Sequence, residues 1–195
     1  MIKNVIKTWL KLALNRGVGS QFGEDKIIVS LLPERGTYLD IGAYHPHLYS
    51  NTYKLYRKGW SGTAVEPNPD MAILWKLFRP RDTFLNCAVG KHGSATYYMY
   101  KDGAYNGFEK LNNRPVTSQK TLAIAPLSDF LKSDVDFLNI DCEGMDYEIL
   151  QTHDWVIKPK VIAVEGEEGR DSHQFLIKKG YALKAKAGAT LIFEL

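Results

Sequence analysis

The stretch TYLDIGAYHPHLYSNT, residues 37–52, decides the fold. From Thr37 to Ala43 it is a mostly apolar run that ends in Asp40-Ile41-Gly42, the pattern of a short buried strand feeding a tight turn. The continuation HLYSNTYKLYRKG, residues 47–59, reads as the helix that returns the chain, with Gly59 as its stop. Downstream the alternation repeats. SGTAVEP (61–67) is a second strand, NPDMAILWKLFR (68–79) a helix opened by Asn68 and Pro69, and TFLNCAVG (83–90) a third strand. Strands alternating with helices at this spacing predict a parallel sheet of βαβ units.

Further on, SATYYMYK (94–101) has strand-type residues, and DGAYNGFEKLNNRPVTSQK (102–120) is rich in Gly, Asn and Pro. Residues 91–120 are therefore expected to be a strand followed by a long mobile loop, a length that compact domains seldom carry unless it serves a site. LSDFL (127–131) is a short helix, VDFLNID (135–141) a buried strand and MDYEILQTHDW (145–155) a helix. PKVIAVEG (159–166) is another strand, SHQFLIKKG (172–180) a helix, and YALKAKAGATLIFEL (181–195) an antiparallel pair. The expected architecture is α/β, a doubly wound and mostly parallel sheet of about seven strands with a C-terminal antiparallel strand.

With 195 residues, one domain over 1–195 is the expectation. Hydrophobic content of 45% and charged content of 24% are those of a globular chain, and a net charge of +3 gives no dense basic stripe, so nucleic acid is not expected as a partner. Cys87 and Cys142 have no CxxC or Cys/His spacing around them, which fits a reducing cytoplasm and no structural metal. In MIKNVIKTWLKLALNRG (1–17) Lys7 and Lys11 interrupt any signal-peptide core, and the apolar run is too short to span a bilayer. At helical spacing Ile2, Ile6, Trp9, Leu10 and Ala13 share one face, with Lys3, Lys7 and Lys11 on another. Residues 1–19 thus read as an amphipathic helix packed on the domain or, alternatively, one whose residues 1–16 meet the inner membrane surface. VGSQFGEDKIIVSLLPERG (18–36) reads as a second helix capped by Ser20.

Ligands of open α/β sheets lie at the carboxyl ends of the strands. Those ends carry Asp40 and Gly42, Glu66, Asn86, Asp141 with Glu143, and Glu165. A dinucleotide site needs G-x-G-x-x-G to bring backbone against pyrophosphate, but Gly42 is followed by Ala43, Tyr44, His45 and Pro46, and Asp40 would repel a phosphate. S-adenosylmethionine answers both objections, since it has no phosphate and its amine and sulfonium are cationic. Glu66, ending the second strand, suits the ribose hydroxyls. His45 is a candidate general base, Ser50 and Asn51 are candidates to line the pocket, and Asn106 in the long loop is a candidate acceptor contact. Tyr97, Tyr98 and Tyr100 are a sugar-stacking platform or ordinary sheet packing.

Taken together, SQFGED (20–25), LDIGAYHPHLYSNTYKLYRKGWSG (39–62), AVEPNP (64–69), NCAVG (86–90) and VDFLNIDCEGMDYEIL (135–150) resemble the FkbM-type S-adenosylmethionine-dependent methyltransferases. The resemblance implies a class I Rossmann-like fold and methylation of hydroxyl groups, often on saccharides or glycosylated small molecules. Carried over by position, it implies cofactor contacts at Gln21, Glu24, Asp25, Asp40, Gly42, Ala43, Glu66, Pro67, Asn86 and Ala88, with Asp141 and Glu143 facing the transferred methyl group. Asp141 and Glu143 are then expected to act as a base, or alternatively to hold Mg²⁺ together with Glu165 on the next strand. Two other readings stand beside this one, an NAD-binding Rossmann oxidoreductase and a non-catalytic module that keeps the fold.

Overall fold

The computed structural model describes residues 2–14, 18–101, 105–142 and 144–195. In chain order, the described strands are β1 (Thr37–Ile41), β2 (Ser61–Val65), β3 (Thr83–Leu85), β4 (Ala88–Val89), β5 (Gly93–Met99), β6 (Ser118–Ala125), β7 (Phe137–Ile140), β8 (Val161–Glu165), β9 (Ala182–Ala187) and β10 (Thr190–Glu194). The helices are α1 (Ile2–Ala13), α2 (Glu24–Leu31), α3 (Tyr53–Arg57), α4 (Ala72–Phe78), α5 (Leu127–Phe130), α6 (Asp146–Leu150) and α7 (Asp171–Lys178), with a 3₁₀ turn at Pro69–Met71.

Seven strands form the main sheet in the order β3-β2-β1-β7-β8-β10-β9. All neighbours from β3 to β8 are parallel, while β10 runs antiparallel to both β8 and β9. The order reverses between β1 and β7, and that switch point is where an open α/β sheet leaves a crevice for ligand. Central strands covered on both faces cannot alternate apolar with polar. Accordingly Tyr38 to Ile41, Phe137 to Ile140 and Val161 to Val164 are all buried. On one face Leu39, Ile41, Leu138, Ile140, Ile162 and Val164 pack with Leu127, Ile149, Leu150 and Leu176 of α5, α6 and α7. On the other, Tyr38, Phe137, Val161 and Ala163 pack with Ile28, Leu55 and Trp60. Each such side chain contributes about 1.5–3 kcal/mol on burial.

Two expectations change. The segment 83–90 is not one strand: β3 joins the main sheet, Asn86 turns the chain, and β4 pairs with β6 in a second sheet of order β4-β6-β5. The expected loop is also shorter, because residues 118–125 form β6, antiparallel to β5 from Gly93↔Ile124 to Met99↔Ser118. The described part of the remaining connection is tied down. Tyr98 and Gly107 exchange backbone hydrogen bonds, the Leu111 amide donates to the Tyr100 hydroxyl, and the Arg114 guanidinium stacks 3.5 Å over the Tyr105 ring. This is an anchored flap, with residues 102–104 outside the described part.

Helix boundaries shift where polar side chains satisfy the backbone locally. The expected helix over 47–59 is helical only in α3, since the Ser50 hydroxyl accepts from the Tyr53 amide, Asn51 donates to Asn139, Thr52 donates to Asp40 and Tyr49 takes a left-handed φ of 58°. Ser20 does not begin α2: Gly23 is its N-cap, and the Ser20 hydroxyl accepts from the amide of Asp25, the helix's second residue, at 3.2 Å.

Candidate functional site

The chain leaves β1 through a turn that only glycine allows. Gly42 has φ 75°, and a Cβ there would stand 1.9 Å from the Asp141 carbonyl oxygen and 3.1 Å from the Cys142 sulfur. The ends of β1 and β7 therefore touch backbone to backbone, and the Gly42 and Ala43 amides donate to the Val65 carbonyl. Beneath them Asp40 is only 2% exposed, and its carboxylate accepts from Thr52 Oγ1 and from the Asn139 amide. Burial raises its pKa, while the Arg79 charge and these hydrogen bonds oppose the shift. Arg79, itself 1% exposed, donates to Pro46 O, Ser50 Oγ, Thr52 Oγ1, the Tyr38 hydroxyl and the Asp82 carboxylate.

This network takes in three residues that the sequence reading assigned to the site. His45 is buried with both ring nitrogens engaged: Nδ1 accepts from the amides of His47 and Leu48, and Nε2 lies 3.1 Å from Thr8 Oγ1. Burial, with His47 and Lys11 adding to it, lowers its pKa to about 3. It is a neutral staple of the turn and has no lone pair left for a substrate proton. Ser50 is likewise buried, accepting from the Tyr53 amide and from Arg79, so it braces the turn. Asp40, the acid expected at the cofactor, accepts from Thr52 and Asn139 and holds the turn from below.

Beside the turn, at the end of β2, stands Glu66. One of its oxygens accepts from the Tyr44 amide at 2.8 Å, the other from the Asn68 amide at 2.7 Å. Burial pushes its pKa up to about 7, against the pull of those two hydrogen bonds. Asn86 donates to the Glu66 and Pro67 carbonyls and accepts from Lys120 Nζ of β6, so it clamps the strand end to the second sheet, next to the buried Ala88.

At the ends of β7 and β8 a narrow polar pocket of about 110 Å³ gathers Gln21, Glu24, Asn51, Asp141 and Glu165. Phe22, Tyr49, Ala189 and Thr190 complete its wall. The N-terminal motif reaches it because Val18 and Gly19 bridge to Leu48, and the Ser50 amide donates to Gly19 O. Glu24 is held by the Phe22 amide, and Asn51 by Asn139. Asp25 sits beside Gly19, where a Cβ would meet its carboxylate at 2.9 Å. Burial drives the Cys142 thiol upward, and the charges of Asp146, Asp141 and Glu66 add to the shift, so the pocket and Glu66 adjoin across the Gly42 contact.

Asp146 is the residue that the sequence reading passed over. It is buried, its carboxylate accepts from the Cys142 and Gly144 amides, and burial raises its pKa to about 6. It fixes the backbone following Asp141; Glu143 lies outside the described residues. The signal was present in the sequence as an acid in the first turn of α6. No comparable signal marked Thr190, which enters only because β10 starts opposite Glu165. Asn106 is not brought to this pocket. Its side chain accepts from the Tyr100 amide, and it lines a separate groove of about 910 Å³ that runs between α1, the 44–48 turn and the flap. Among the described residues no three His, Cys, Asp or Glu side chains group closely enough to hold a metal ion.

Residues 40–183 match the Methyltransferase FkbM domain, and the chain belongs to that family. No curated protein is matched significantly. Among solved structures, an FkbM methyltransferase from Methylobacillus flagellatus superposes with a TM-score of 0.54 at 13% identity, over 91% of this chain and 48% of the other, so the chain spans about half of that protein's length. A TehB-like SAM-dependent methyltransferase from Corynebacterium glutamicum gives 0.52 at 13% identity, over 98% and 96%. The 1,6-didemethyltoxoflavin-N1-methyltransferase of Burkholderia thailandensis, solved with its acceptor and S-adenosylhomocysteine, gives 0.50 at 14% identity, over 98% and 82%. At these identities the likeness is one of fold, the class I methyltransferase fold.

Proposed function

We propose that this member of the FkbM methyltransferase family is an S-adenosylmethionine-dependent O-methyltransferase whose acceptor is a hydroxyl of a saccharide or a glycosylated small molecule. The observation that carries the reading is the convergence of Gln21, Glu24, Asn51, Asp141 and Glu165 on one small pocket beside the Gly42 turn. Carboxylates around such a pocket suit a cationic ligand, and the chemistry of this donor set fits an amine and a sulfonium. When bound, S-adenosylmethionine supplies a methyl carbon on a positively charged sulfur, which departs as a neutral thioether.

The chain's own residues then have separable tasks. Glu66 accepts from the ribose hydroxyls, its carboxylate aimed by the Tyr44 and Asn68 amides. Gln21, Glu24 and Asp25 hold the methionyl end from the N-terminal side, and Pro67, Asn86 and Ala88 lie on the adenine side. Asn51 and Glu165 orient the acceptor by hydrogen bonds, and the exposed rings of Phe22 and Tyr49 offer flat apolar faces to a sugar. An alcohol is a weak nucleophile and must lose its proton as oxygen bonds to carbon. Asp141, exposed at the pocket, takes that proton, with Glu143 as its neighbour in sequence and Asp146 steadying the backbone between them and α6.

Incubation with methyl-tritiated S-adenosylmethionine and a panel of oligosaccharide, glycoside and amine acceptors tests this. Label in an alkali-stable ether of a sugar hydroxyl is the expected result. Label only on nitrogen would overturn the acceptor class, and failure to bind S-adenosylmethionine or S-adenosylhomocysteine at all would overturn the cofactor.

A further inference from the structure

Helix α1 docks on the domain with the face that its sequence does not advertise. Thr8 is buried against His45, and Val5 packs with Ala43, Ala64, Met71, Leu74 and Trp75. At 100° per residue this docking face leaves Ile6, Trp9, Leu10 and Leu14 along the outer side. They are 54%, 64%, 58% and 60% exposed, and of these Trp9 has one aromatic neighbour, an edge contact with Phe78. The helix thus carries an apolar stripe that the fold does not use. Its sequence, IKNVIKTWLKLA, holds three lysines and no acid.

We propose that α1 is an in-plane anchor that places this protein on an anionic lipid surface. Length favours lying over spanning: twelve residues reach about 18 Å, well short of the hydrocarbon core. None of the described helices is long and apolar enough to cross a membrane. Charge selects the occupant. Lys7 and Lys11 flank the stripe and face a groove also lined by Lys101 and Arg114, with Asp70 as its acid, so this side of the molecule is cationic. A second copy of the chain would set lysine rows against lysine rows, whereas an acidic lipid surface neutralises them while apolar side chains enter the acyl boundary. A tryptophan at the water boundary suits the same placement.

Trp9 also supplies the probe, because Trp60, Trp75 and Trp155 are all buried. With the intact protein, vesicles of phosphatidylcholine containing phosphatidylglycerol should co-sediment it at least about tenfold more strongly than vesicles of phosphatidylcholine alone. High salt should weaken the binding, and tryptophan emission should shift to the blue on binding. The double variant Ile6→Ser/Leu10→Ser should lose about tenfold or more in vesicle binding with an unchanged melting temperature. Equal, weak partitioning into both kinds of vesicle, or binding without a shift in emission, would overturn the proposal. So would a concentration-dependent dimer in vesicle-free buffer that the double variant abolishes, which would assign the stripe to a second copy. The salt series and the emission shift use the unaltered chain and stand even if the variant folds poorly.

Discussion

The turn after β1 and the pocket at the ends of β7 and β8 draw on the same residue types, acids, amides and hydroxyls, within one loop's reach of each other. In the turn, Asp40, His45, Ser50, Thr52 and Arg79 are buried, and their hydrogen bonds run to one another, to backbone and to the side chains of Thr8, Tyr38, Asp82 and Asn139. In the pocket Asp141 and Gln21 are exposed and Glu165 is half-buried, at a cavity with room for a ligand group. Residues of the first kind set geometry; the second place joins the exposed Asp141 and Gln21 to the buried Glu24 and Asn51 around a cavity. Substitutions in the two places should therefore fail in different assays.

The largest effect is expected in the turn. Arg79→Leu removes the cation that Asp40 and Asp82 share and strips the Pro46, Ser50 and Thr52 oxygens of a donor. Leaving buried acids uncompensated costs about 3–5 kcal/mol, which urea unfolding should read directly. A loss under about 1 kcal/mol would mean that the network adds little beyond packing.

Asp141→Asn inverts the outcome. Turnover should fall by roughly 10²-fold, about 2.7 kcal/mol on the barrier, while melting stays near that of the unaltered protein. Full activity in Asp141→Asn and in Glu143→Gln would remove both from the chemistry. Chelation with EDTA should leave the rate unchanged, and a loss restored by Mg²⁺ would instead make them metal ligands.

Glu66 lies between the two regions and should show it. On the proposed ribose contact, Glu66→Ala should weaken S-adenosylmethionine by about 1–3 kcal/mol in calorimetry. Because its pKa is raised to about 7 from 4.5, ionisation is incomplete near neutrality. The carboxylate is the better acceptor, so affinity should climb as pH rises through about 7 and be flat in Glu66→Gln. For folding the sign is opposite. The native state holds a proton that the unfolded chain has released, so the stability this group contributes is present below pH 4.5 and is lost as pH rises through about 7.

What the sequence made legible follows the same divide. The parallel character of the main sheet could be read because central strands such as VDFLNI and VIAV are continuous apolar runs between helical periods, and periodicity is a local signal; the strand order is tertiary. The second sheet escaped notice because β6, SQKTLAIA, is polar where it is exposed and becomes a strand only by pairing with β5. Among candidate site residues, the strand-end acids Glu66, Asp141 and Glu165 are named by their position in the sequence alone. For His45 and Ser50 the sequence gives the chemistry of the side chain but not which hydrogen bonds the fold already makes with it. That Thr8, 37 residues away, faces His45 is tertiary information.

His45 gives the smallest and sharpest comparison. Its Nδ1 accepts two backbone amides and its Nε2 meets Thr8, so His45→Ala should cost on the order of 1 kcal/mol in stability, the worth of a lost turn cap. Turnover with saturating substrates should change by less than about twofold, since no proton passes through the ring. The pH dependence carries a further signature. With a pKa lowered to about 3 from 6.5, the native ring stays neutral where the unfolded one binds a proton. This group's contribution is therefore whole above pH 6.5 and shrinks as pH falls toward 3, and the variant should lose part of that acid sensitivity in denaturation measured at successive pH values. A hundredfold fall in turnover, with loss of an ionisation from the rate profile, would move His45 out of the turn's scaffold and into the chemistry, and the contrast between the closed turn and the open pocket would fail with it.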